Sequence, residues 1–280
     1  MLRHFLTGGL IVFLLASCMS PRNQSGFITD LEGFSPVSDQ YELPRPEIQL
    51  PNPAEATIII FSHGTENSWK PEKCRTWYVR PPKIAMFLQG KPNTYVYFLC
   101  SDVTDTGHSD ARYIFARSKE ILQTVDQFLA IGVQPKNIFL MGQSAGGWSS
   151  LMAMQQVGEK FNAAIIFAPA CCNKREAKEE KKRKYRKLNR PHQEREMLKA
   201  ERIEALIFAY EDDEFNRPQD LTFLTEAYPT SVKMIGYHCG KGHFTYQKDC
   251  QFAANKARIT KYISDRKQDF IAKQRSVSQP

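Results

Sequence analysis

Two kinds of segment alternate along the chain. Short runs rich in β-branched and aromatic residues lie at 57–61 (TIIIF), 94–100 (TYVYFLC), 137–142 (NIFLMG), 163–170 (AAIIFAPA), 204–210 (EALIFAY) and 231–238 (SVKMIGYH). Their near-continuous apolar character is that of parallel strands covered on both faces. Between them lie segments whose apolar residues recur three and four apart, as on one face of a helix. Residues 110–132 are the clearest, with Asp110 as a cap and Gly132 as a stop. The stretch after Ser144 and residues 249–272 also read as helices. This alternation predicts an α/β domain over 54–275, with a mostly parallel central sheet and helices on both faces.

The N-terminus departs from that pattern. Arg3 and His4 precede an apolar run from Phe5 to Ala16, too short for a comfortable membrane span. A charged start, an apolar middle and a small-residue exit make residues 1–17 a secretory signal. The order Leu15-Ala16-Ser17-Cys18 resembles the lipobox of bacterial lipoproteins. That resemblance implies acylation of Cys18, a membrane anchor and a place in the cell envelope. Met19 stands where an inner-membrane retention signal has Asp, which favours the outer membrane in a Gram-negative cell. Residues 18–53, polar and then proline-rich (ELPRPEIQLPNP), read as a tether and extended lead-in.

Charge adds a second local feature. Residues 173–203 hold thirteen Lys/Arg and six Asp/Glu, so nearly all of the chain's net +8 sits there. A general polyanion binder spreads its basic residues over a face. Here an insertion between strands 163–170 and 204–210 carries them, read either as a solvated, frayed helix pair broken near Pro191 or as a lid that attracts anionic substrates or surfaces. Tyr185 is its one aromatic residue, which argues against single-strand nucleic-acid binding by base stacking.

Seven cysteines less Cys18 leave an even six, which in an oxidising compartment suggests disulfides. The expected pairs are Cys74–Cys100, Cys239–Cys250 and a vicinal Cys171–Cys172. None has zinc-knuckle spacing, so no metal is expected. Asp102, Asp105 and His108 fit a polar loop at the sheet's carboxyl edge better than a metal site.

The chemistry centres on Gly142-Gln143-Ser144-Ala145-Gly146, between an apolar strand and a helical pattern. Minimal side chains two residues before and after a serine let strand and helix pack around a sharp turn, and the helix start favours a developing negative charge. A serine hydroxyl needs a base. His243 lies in the Gly-rich stretch GYHCGKGHFTY, with His238 as its competitor at a strand end. Glu211, Asp212 and Asp213, just past strand 204–210, compete for the acid that would orient the imidazole.

In the order Ser144, Asp213, His243 the chain resembles the α/β-hydrolase superfamily, most like its compact dienelactone-hydrolase and prolyl-oligopeptidase-type esterases, from about residue 55 to 265. The resemblance implies an α/β-hydrolase fold. It favours Asp213, three residues past its strand, with Asp212 the alternative. It also implies an oxyanion hole from the backbone N–H groups of Ala145 and of Thr65 or Gly64, after the first core strand, with His63 shaping that loop. The expected function is ester hydrolysis by acyl transfer with no cofactor, on a small-molecule ester. A peptidase or thioesterase uses the same triad. The competing class is a non-catalytic envelope lipoprotein that binds a polyanion through 173–203.

Overall fold

The computed structural model describes residues 25–28, 50–65, 74, 79, 81–101, 103, 112–240, 242–247 and 250–277. Seven strands form one sheet in the order β1-β3-β2-β4-β5-β6-β7. They are β1 (Gly26–Phe27), β2 (Thr57–Ser62), β3 (Thr94–Leu99), β4 (Ile138–Gln143), β5 (Ala163–Phe167), β6 (Ala205–Tyr210) and β7 (Val232–Tyr237). β2 to β7 are parallel, and β1 runs antiparallel on β3. This is the mostly parallel sheet of an α/β-hydrolase fold.

Alternation within each strand divides the core. Ile58 and Ile60 of β2, Leu140 of β4, Ile166 of β5 and Ile207 of β6 face one side, packed by α2 (Arg112–Ala130), α3 (Ser144–Met152), Met197 at the end of α4 (Glu180–Met197) and α5 (Thr222–Ala227). Ile59, Phe61, Phe139, Met141, Ile165 and Phe208 face the other, packed by α1 (Lys83–Gln89) and α6 (Phe252–Val277). Side chains that alternate with period two put helices on both faces, as expected. The left-handed Gly132 (φ 95°) ends α2, where its N–H returns to the Leu129 carbonyl. Among the described residues no helix is long and apolar enough to cross a membrane.

Two expectations need correction. Residues 18–53 are not tether throughout: Gly26 and Phe27 pair with Phe98 and Tyr97, and Ile28 is fully buried. A two-residue strand carries almost no periodic signal, so only its edge partner reveals it. The basic insertion is not a frayed pair broken at Pro191, since α4 runs through that proline as one helix. Proline removes one bond, to the carbonyl of Lys187, but both residues are solvent-exposed and water can take that acceptor. Asn189, Gln193 and Met197 bury the opposite side. The three cysteine pairs come together as expected. Cys18, Asp102, Asp105, His108 and Asp110 lie outside the described residues.

Candidate active site

Every loop that builds the site leaves the carboxyl edge of the sheet. β4 ends at Gln143 and α3 begins at Ser144, whose φ of 51° is left-handed. For a residue with a Cβ that conformation costs about 1–3 kcal/mol and persists only where the surroundings impose it. Here they do so by contact. A Cβ on Gly146 would lie 2.1 Å from the Ser62 carbonyl oxygen, and one on Gly142 would lie 2.7 Å from the Gly146 backbone. The two glycines let α3 start against β2 and β4, and the turn that remains lifts Ser144 out of the core. Ala145, Gly146 and Gly147 are buried beneath it while Ser144 stays half-exposed.

The imidazole of His243 meets the serine from across the sheet. Its Nε2 lies 2.8 Å from Ser144 Oγ, and its Nδ1 lies 2.8 Å from Asp213 Oδ2. A carboxylate only accepts, so Nδ1 carries the proton and Nε2 accepts from the hydroxyl. Asp213 is fully buried. Its other oxygen accepts the N–H of Phe215 at 2.7 Å, so the buried charge is satisfied on both sides. His243 packs against Phe215, with ring centroids 4.4 Å apart.

The competition among the acids has a structural answer. Asp212 takes the Gly242 N–H at 2.7 Å, Asp213 takes the His243 ring, and Glu214 takes the His243 N–H at 3.2 Å. Three consecutive acids thus hold one loop, and Asp213 alone among them faces the imidazole. Glu211 turns away to accept from Gln219. Burial pushes the Glu214 carboxyl up, but hydrogen bonds from the Glu214 and His243 N–H groups and from Lys174 leave it below the usual range. Gly242 is left-handed (φ 57°), as this sharp return of the chain requires. His238 is exposed just beyond β7.

Three arginines that the sequence reading did not single out complete the site. Arg117 of α2 is buried, and its Nη1 and Nη2 donate to the carbonyls of Gly64 and His63 at 3.1 and 2.5 Å. It fixes the loop after β2, where Gly64 lies so close to Gln143 that a Cβ would be 2.4 Å from its Nε2. Arg186 of α4 donates to the carbonyls of Cys171, Asn173 and Phe215 and to Asn216 Oδ1. Burial, then the neighbouring Arg190, lowers its pKa to about 10, so it stays charged at neutral pH. Arg175 donates to the Asp213 carbonyl at 3.2 Å. No motif marks these residues. The available signal was their type, since a planar fork of donors suits several carbonyls at once.

His63 is structural. Its Nδ1 donates to the Gly64 carbonyl at 2.6 Å, and its Nε2 accepts the Ser101 N–H at 3.1 Å. Among the described residues His63, Cys74 and Cys100 are close enough to share a metal ion. The two sulfurs are paired with each other and the ring nitrogen is occupied, which fits packing better than ligation.

A cavity of about 410 Å³ opens over the serine, lined by Gly64, Thr65, Ser144, the Cys171–Cys172 pair, Phe215, His243 and Phe244 among others. Cys172 and Asn173 are left-handed at its wall (φ 66° and 74°). Ala145 is buried in the first turn of α3, where backbone N–H groups lack helical partners.

With this geometry in place, the family model described as "Phospholipase/Carboxylesterase" matches residues 43–192. The chain belongs to that family. The match contains Ser144 and ends before Asp213 and His243. A puromycin-hydrolysing peptidase of Mycobacterium tuberculosis superposes with a TM-score of 0.57 at 16% identity, over 78% of this chain and 36% of the peptidase. Dipeptidyl peptidase 4 of Porphyromonas gingivalis gives 0.55 at 19%, over 77% and 32%. Esterase 2 of Thermogutta terrifontis, phosphoramylated by tabun, gives 0.52 at 16%, over 76% and 85%. This chain spans about a third of the length of the two peptidases. Identities this low establish the shared fold. No curated protein sequence matches the chain.

Proposed function

We propose that this family member is an exported, lipid-anchored serine hydrolase that cleaves a carboxylic ester through an acyl-enzyme. Ser144 attacks the carbonyl while His243 takes its proton at Nε2. His243 then returns the proton to the leaving alcohol, and in the second half-reaction it activates water in the same way. Asp213 holds the ring and stabilises the imidazolium. The backbone N–H groups of Ala145 and Thr65, with Gly64 the alternative to Thr65, receive the oxyanion. One such donor is worth on the order of 10²–10³ in rate. No cofactor enters the cycle. Export and anchoring rest on residues 1–17 and Cys18.

The single observation that carries this reading is the hydrogen-bonded line from Ser144 Oγ through His243 to Asp213, at 2.8 Å for each step. The tabun-modified esterase among the structural neighbours suggests the test. A fluorophosphonate should label one peptide, at Ser144, in folded protein with its cysteines paired. Absence of labelling there would leave the fold without the activity and return the argument to the polyanion-binding alternative. A peptidase reading draws on the two peptidase neighbours. A matched panel of esters and amides separates the two.

A further inference from the structure

We propose that the carboxyl edge of the sheet, with the mouth of the Ser144 cavity, docks on an anionic lipid bilayer, so that the esters this site takes are membrane-borne. The inference deepens the proposed hydrolase function and rests on acylation of Cys18. Its structural basis lies elsewhere, in β1 and α4.

The chain joins the sheet at the catalytic edge. Because β1 is antiparallel to β3, Ser25 sits beside the end of β3, where its hydroxyl accepts the Cys100 N–H at 2.9 Å. Ser25 is buried. Six residues separate it from Cys18. Seven residue steps can span about 25 Å at most. In the strand order β1-β3-β2-β4, the chain's start lies three strand spacings from the nucleophile's strand, or about 14 Å. A lipid on Cys18 would therefore attach the protein to the bilayer next to the carboxyl edge, within about 25 Å of Ser25.

The same edge carries unpaired positive charge. Arg186 reaches loops that leave the ends of β5 and β6, so the N-terminal half of α4 lies at this edge. Lys182 and Lys184 pair with Glu179 and Glu180. Lys181 and Lys187 are exposed with no ion-pair partner among the described residues. Between them and the next turn stands Leu188, 73% exposed. Exposed lysines around a protruding leucine suit a layer of anionic headgroups over hydrocarbon. Phe244, at the cavity mouth, is also exposed.

The test uses the full acylated chain, with the Cys18 acyl groups verified by mass, in vesicles of phosphatidylcholine with or without phosphatidylglycerol. An amine-reactive probe that cannot cross the bilayer should label Lys181 and Lys187 less in anionic vesicles, and Lys261 of α6 equally in both. Equal labelling of Lys181 and Lys187 overturns the docking, as does a Cys18 without acyl groups. Two variants then couple docking to turnover. Lys181→Glu with Lys187→Glu should lower hydrolysis of a long-chain ester in anionic vesicles about tenfold or more. About 20 Gly/Ser residues inserted between Gln24 and Ser25 should lower it roughly fivefold to tenfold, through the fall in effective concentration. Both should leave a soluble short-chain ester unchanged. Less than about a twofold loss on vesicles in either variant overturns the proposal. If no form cleaves the soluble ester or takes the fluorophosphonate while the lysines are protected, the hydrolase reading fails and the docking stands.

Discussion

The nucleophile side and the acid–histidine side of the site are built by opposite means. Ser144 is positioned by shape, through small residues at fixed offsets in one pentapeptide, because α3 packs so closely on β2 and β4 that Gly142 and Gly146 have no room for side chains. Asp213 and His243 are positioned by hydrogen bonds drawn from distant segments: Arg186 in α4, Arg175 before it, and the three acids after β6 that hold residues 242–243. Steric positioning demands small residues at fixed local offsets and so leaves a motif. Polar positioning is long-range and leaves only composition.

Substitutions on the two sides should therefore fail differently. The largest effect is expected for Ser144→Ala, a loss of kcat on the order of 10⁴–10⁶ with the melting temperature nearly kept. Residual turnover well above that level would show that another group attacks. Next is Asp213→Asn, at about 10⁴, because an amide cannot hold the imidazole in the tautomer that leaves Nε2 free. Comparable losses at Asp212 and Asp213 would remove the distinction between a residue that orients the ring and one that holds its loop.

Gly146→Ala should act through the fold. Its new carbon meets the Ser62 carbonyl oxygen at 2.1 Å. Overpacking of this kind costs about 1–3 kcal/mol, several degrees in a thermal melt. An unchanged melt would mean that the elbow is looser than its contacts indicate. Arg186→Lys should lower kcat on the order of tenfold and KM little, since an ammonium cannot bridge four acceptors on two loops. Equal loss of KM and kcat, or none, would make Arg186 a matter of stability alone. The smallest effect belongs to Asp212→Asn, less than about fivefold, because an amide oxygen still accepts the Gly242 N–H.

The basic insertion holds a parallel contrast. Arg175, Arg186 and Arg190 point inward and donate to backbone carbonyls, while Lys181 and Lys187 stay exposed. Net charge, read as one number, merges these roles. Guanidinium groups lose hydration more readily than ammonium groups and satisfy several acceptors at once, so they act as internal fasteners while the lysines remain a surface. The expectation of a lid that attracts anions concerned only the outer face of α4. It omits the inner face, which supports the acid loop.

Six of the seven strands and the helices α2, α3 and α6 were legible because buried parallel strands and amphipathic helices write their period into every residue. The candidate nucleophile was legible because the turn needs particular small residues at fixed offsets. His243 and the acid were legible as types, through the resemblance in their order along the chain, with Asp212 and Asp213 left in competition. β1 and α5 are too short to carry a period. The unbroken course of α4 through Pro191 depends on which side of the helix meets solvent.

What the sequence determined by itself is thus the layered α/β sheet and the serine at its turn, because both follow from local sterics and local periodicity. The tertiary structure decided that Asp213 takes the ring and Asp212 the loop, that Arg117 and Arg186 brace the two sides, and that the first described strand joins the sheet with Ser25 at its carboxyl edge. Each of those is a contact between residues far apart in the chain, and a hydrogen bond between distant segments constrains only where the donors and acceptors meet.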